Sequence, residues 1–108
     1  MKKLLLSSLM AVSGLFAMNA AEVTVLFPDA CAGLLGGNSN VVVTTFEAEG
    51  FTFSFAKNGG STDPAYYQYI NNTTGKDEGS IRLYAQNSMT ITAPQGATIN
   101  AVDFTLAG

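Results

Sequence analysis

Phe51-Thr52-Phe53-Ser54-Phe55 is the stretch whose reading decides the fold. Side chains of an extended chain alternate between faces, so three phenylalanines fall on one side and Thr52 and Ser54 on the other. No helix keeps residues 51, 53 and 55 together. The segment is therefore a strand with one face in a core. Upstream, Glu47-Ala48-Glu49-Gly50 is short enough to be a turn, and Val41 to Phe46 before it is β-branched and reads as a strand.

Outward from this hairpin the pattern repeats. Glu22 to Phe27 alternates and reads as a first strand, joined to the next by a glycine-rich connection from Pro28 to Asn40. Tyr66 to Ile70, Ile81 to Ala85 and Met89 to Ala93 read as further strands, separated by polar loops. Pro94-Gln95-Gly96 is a turn. Ile99 to Leu106 is the last strand, and its apolar positions change phase once, which predicts a bulge near Asn100-Ala101. About seven short strands and no long helical period predict an all-β fold, an antiparallel β-sandwich or jelly-roll-like domain. Phe51, Phe53, Phe55, Ile81, Leu83, Met89, Ile91, Val102 and Phe104 are its expected interior.

The first twenty residues are of another kind. Lys2 and Lys3 give a basic start, Leu4 to Ala17 is an apolar run, and Ala20 or Ala21 offers a small residue for cleavage. That order is a secretory leader, and the run is too short to span a bilayer. The expected organisation is a cleavable signal peptide over 1–20 and a β-sandwich domain over 21–108. The last strand runs almost to Gly108, so the domain is expected to be part of a longer chain.

Composition removes several function classes. Past residue 20 there are three basic residues against eight acids, a net charge of −5. Such a surface repels phosphate backbones, so nucleic acid is not an expected partner, nor is membrane insertion after leader removal. The chain has no histidine, the commonest general base and metal ligand. Its one cysteine, Cys31, has no second thiol to pair with and no imidazole to activate it. Glu47 and Glu49 share a face at a spacing glycosidases use, but a turn at the rim of a small domain does not supply the dry cleft a raised carboxyl pKa needs. Asp63, Asn72, Asp77 and Glu78 carry loop oxygens of the kind calcium takes, without the twelve-residue loop that closes on a glutamate. No enzyme activity, metal or cofactor is expected.

The tyrosines Tyr66, Tyr67, Tyr69 and Tyr84 remain. Aromatic faces stack on sugar rings, and neighbouring charged groups bind hydroxyls. Tyr84 shares the outer face of its strand with Arg82, while Ile81 and Leu83 take the inner one. The candidate ligand site is Tyr84 and Arg82, with Tyr67 and Asp63 beside them.

The order of "FTFSFAKNGG", "DPAYY", "SIRLYAQNSMTITAP" and "INAVDFTLAG" over residues 51–106 resembles uncharacterised β-sandwich modules in secreted proteins of gut and oral Gram-negative bacteria. The resemblance carries no catalytic motif. It implies a secreted, periplasmic or cell-surface location and a chain that continues into further strands. Two functions are then expected of the domain. One is a non-catalytic module that binds glycan or adheres. The other is a structural spacer, or the N-terminal piece of a larger secreted protein, whose partner is a downstream domain of the same chain.

Overall fold

The computed structural model describes residues 3–11 and 18–106, so the expected leader and the end of the expected domain lie partly outside the described residues. The fold is all-β and sandwich-like. Nine strands are described: β1 (Lys3–Ala11), β2 (Met18–Leu26), β3 (Asn40–Val42), β4 (Thr45–Ala48), β5 (Phe51–Ala56), β6 (Ala65–Tyr67), β7 (Ser80–Arg82), β8 (Ser88–Thr92) and β9 (Ala97–Thr105). They form three antiparallel sheets of three strands, ordered β2-β1-β9, β3-β6-β7 and β4-β5-β8.

The count exceeds seven for two reasons. One is β1, which lies in the segment read as a leader. The other is that the run expected over Val41 to Phe46 serves two sheets. Val43 N–H donates to the Pro64 carbonyl (3.0 Å) on the β6 side, and the next carbonyl, of Thr44, accepts from Phe55 N–H (2.8 Å) on the β5 side. The chain thus turns a corner between sheets at Val43-Thr44, with a bend at Thr44.

The β4–β5 hairpin stands where expected, but Glu47 and Ala48 belong to the strand and the turn is tighter than Glu47–Gly50. Ala48 pairs with Phe51, leaving Glu49 and Gly50 as a two-residue loop with both φ angles positive (54° and 82°). That geometry matches the twist of the flanking strands and suits Gly50 better than Glu49. Phe46 and Phe53 face each other across the ladder and stack at 5.2 Å between ring centres.

Between Pro28 and Asn40 the structure departs from a plain connection. Phe27–Cys31 is one turn of helix, α1, with Pro28 at its start, followed by a 3-10 turn at Ala32–Leu34. Pro28 fits the first turn, where its missing N–H costs nothing. The helical spacing sets Phe27 and Cys31 on one face, and both are buried. Phe27 presents its ring edge-on to Phe46 (6.3 Å) and Phe53 (5.9 Å), so α1 closes the aromatic core. A five-residue helix leaves too short a period to be seen among glycines.

The core joins Val25, Phe27, Cys31, Leu35, Val43, Phe46, Phe51, Phe53, Tyr66 and Ile81. Phe55, Met89, Ile91 and Val102, expected in the interior, are half-buried against it. Two expected core residues are corrected. Leu83 is 47% exposed and Phe104 51% exposed. Leu83 lies one residue past the end of β7, where the chain enters a turn closed by Asn87 N–H on the Tyr84 carbonyl. Phe104 is on β9, whose described pairing is on one side only. Both line an open apolar cavity of about 500 Å³ together with Phe27, Ile81, Met89 and Leu106.

The bulge falls where the phase change put it. Ser7 pairs with Ala101 and Ser8 with Ile99, so Asn100 is the extra residue. No helix among the described residues is long and apolar enough to cross a membrane.

Candidate functional site

The β6–β7 ladder sorts the tyrosines. Ala65 pairs with Arg82, Tyr66 with Ile81 and Tyr67 with Ser80. Tyr66 and Ile81 therefore point inward, 0% and 4% exposed, while Tyr67 and Arg82 take the outer face. The Arg82 guanidinium carbon lies 3.9 Å from the Tyr67 ring centre, a stacked cation–π pair. A side-chain hydrogen bond with Tyr84 holds the Tyr67 hydroxyl above its ordinary pKa, and Arg82 pulls the other way. Three of the four expected ligand residues thus form one outer patch.

Asp63 stands at the margin. It is exposed, on the loop that leads into β6. The β6–β7 ladder ends at Ala65–Arg82, so Asp63 and Tyr84 both lie beyond it on flanking loops. Loop and turn are tied together by Asn87, a residue the sequence reading treated only as part of a turn. Its Oδ1 accepts Tyr84 N–H (2.9 Å), and its Nδ2 donates to the Thr62 carbonyl (3.0 Å) and the Lys57 carbonyl (3.4 Å). Asn58 adds donations to the Gln86 carbonyl and Ser88 Oγ, both 2.9 Å. Tyr84 is held in place by these two asparagines rather than by strand pairing. The signal in sequence is an asparagine three residues after the one whose N–H it caps, a common turn device with no functional stamp of its own.

Beneath the patch the same ladder carries a polar knot. Asp77, half-buried, accepts the Tyr66 hydroxyl on Oδ2 (2.7 Å) and the N–H groups of Tyr69 (3.0 Å) and Gly79 (2.8 Å) on Oδ1. Asp77 is thereby a fixed acceptor, not a freely solvated turn residue. Burial, and then the Asp77 bond, pushes the Tyr66 hydroxyl far above its ordinary range. Gly79 is needed at close quarters, because a Cβ there would run into the Tyr67 carbonyl oxygen and lie 2.6 Å from the Tyr66 hydroxyl.

Other candidate chemistry is laid out as follows. Cys31 is fully buried, and burial, reinforced by Asp77, pushes its thiol up to about 12, the reverse of an activated nucleophile. Glu47 and Glu49 line an open cavity of about 460 Å³ with Asp29 and the end of β2, and all three carboxylates are exposed. Among the described residues no group of three or more Cys, Asp or Glu is placed to hold a metal ion.

Comparison with protein-family models, with curated proteins and with solved structures finds no match for this chain.

Proposed function

We propose that this chain is a non-catalytic binding module of an exported protein, at the surface or in the periplasm of a Gram-negative bacterium. Its ligand is a glycan and its site the outer patch of Tyr67, Arg82 and Tyr84, with Asp63 at the rim. The observation that carries this reading is the Arg82 guanidinium stacked on Tyr67 beside Tyr84, on the outer face of a ladder whose inner face is core. Tyrosine rings offer flat apolar area to the C–H faces of a sugar, and the guanidinium keeps its in-plane donors for hydroxyl or carboxylate oxygens. The pairing pre-orients the arginine, so less side-chain freedom is lost on binding. Export is supported by the basic start, apolar run and small residues of the first twenty positions.

A glycan array with neutral and uronic-acid oligosaccharides tests the reading, followed by titration of Tyr84→Ala and Arg82→Gln. The expected result is at least a tenfold loss of affinity in both variants at unchanged melting temperature. An array on which no glycan is retained overturns it.

The exposure of Leu83, Phe104 and Leu106 around one apolar cavity favours the second reading, a spacer that packs against a neighbouring domain. Under that reading Leu83→Ser and Phe104→Ser disturb the full-length protein, and Tyr84→Ala affects no ligand.

A further inference from the structure

Strand β1 is the middle strand of its sheet, and it lies within the segment read as a leader. Its backbone runs antiparallel to both neighbours: Leu4 pairs with Val25 and Phe104, and Leu6 with Val23 and Val102. Hydrolytic removal of the leader after Ala20 or Ala21 would take β1 away and leave Glu22–Leu26 of β2 facing Ala101–Thr105 of β9 across an empty lane. Two ladder spacings separate these strands, about 10 Å. They do not close that gap easily. Val25 is buried in the core, and Val23, Ile99 and Val102 pack against it, so either strand would have to give up core contacts to reach the other. Both freed edges present unpaired N–H and C=O groups toward the lane, and only an extended backbone satisfies both at once.

We propose that the exported form is a strand acceptor. The lane between β2 and β9 takes an extended segment of another polypeptide chain. That segment is at least five residues long, runs antiparallel to both edges, and is apolar at the positions of Leu4 and Leu6, where it meets Val25, Phe104, Val23 and Val102. The leader holds this lane until it is removed. The mode is strand addition, in which main-chain hydrogen bonds give affinity and alternate side chains give selection. The inference rests on the leader reading above.

A nine-residue peptide with the sequence of Lys3–Ala11, fluorescently labelled, is the probe. The protein is recovered from the periplasm, its mass is measured, and the peptide is titrated by polarisation. The exported protein should bind the peptide one-to-one. A peptide carrying Leu4→Asp and Leu6→Asp should bind at least tenfold more weakly, as should the parent peptide to full chain that still carries its leader. If the exported protein is poorly folded or oligomeric alone, refolding or dissolution of the oligomer by the parent peptide supports the lane. Indifference to the peptide, or equal binding of both peptides, overturns it. Should the mass show Met1 retained, the leader reading falls by itself. The lane is then tested in the full chain by Leu6→Pro, which breaks the β1 ladder and should admit the peptide in trans; failure to do so removes the proposal as well.

Discussion

Tyr66 and Tyr67 are consecutive residues of one short strand and have opposite lives. Tyr66 is wholly buried and spends its hydroxyl on Asp77 at 2.7 Å. Tyr67 lies on the outer face with an arginine on its ring and a tyrosine at its hydroxyl. The pleat alone produces the difference, since adjacent side chains of a strand face opposite ways. It teaches that the β6–β7 ladder works as a wall, with a fixed polar knot inside and an exposed arginine–tyrosine stack outside, where the proposed ligand site lies. Substitutions on the two sides should separate cleanly into effects on stability and effects on binding.

The widest separation is expected in the neighbouring sheet. Phe53 is fully buried between Phe46 and Phe27, and Thr52 sits on the other face of β5. Phe53→Ala should cost about 3–5 kcal/mol in denaturant unfolding, because a buried ring is lost and a cavity is left. Thr52→Ala should cost well under that. Equal losses would break the inside–outside division.

The inner knot predicts a one-sided response to alkali. Cys31 is raised from 9.0 to about 12, and Tyr66 is raised from 10.0. In both cases the native state holds its proton more tightly than the unfolded chain. Stability is therefore full below pH 9 and falls as pH rises, first from Cys31 between 9 and 12 and then from Tyr66 above 10. Thermal unfolding from pH 7 to 11 should show this decline, and Cys31→Ala should remove its onset between 9 and 10. A flat profile would mean that neither group is as enclosed as the structure has it.

Much of this division was legible in the sequence. The Phe51–Phe55 alternation, the hairpin and the bulge at Asn100 all follow from period-two patterning, which is local, whereas Tyr84 lies past the end of β7 and is placed by its turn. What was missed depends on contacts far apart in the chain. Asp77 reads as a loop acid until Tyr66 folds over it. Asn87 reads as a turn residue until Lys57 and Thr62 arrive. Leu83 and Phe104 keep the strand phase of core residues, but phase says which side a residue faces and not whether another layer covers that side. The helix at Phe27–Cys31 is set by the demand of the aromatic core for a closing ring, which no window of five residues contains.

Smaller again is the comparison of the two tyrosines themselves. Tyr66→Phe keeps the ring in the core but takes away the hydroxyl that Asp77 accepts, and should cost about 1–2 kcal/mol. Tyr67→Phe should leave the melting temperature where it is, since its hydroxyl partner is another outer-face tyrosine in contact with water. A larger loss from Tyr67→Phe than from Tyr66→Phe would invert the wall.

The smallest expected effect is also the most specific to the outer patch. The positive charge of Arg82 lowers the Tyr67 pKa, against the hydrogen bond with Tyr84 that raises it. Arg82→Gln removes the cation and leaves the hydrogen bond, so the Tyr67 hydroxyl should titrate higher than in the parent protein. Tyr84→Phe removes the hydrogen bond and leaves the cation, so it should titrate lower. Opposite shifts from two substitutions at one reporter are hard to obtain from general loosening, which would move Tyr67 toward its ordinary value in both. Carbon-13 NMR titration with labelled tyrosine resolves the Tyr67 Cζ signal from those of Tyr66, Tyr69 and Tyr84, so the reporter is read by itself. If both variants shift Tyr67 the same way, Arg82 and Tyr84 do not act on it from the same face, and the patch is not a single site.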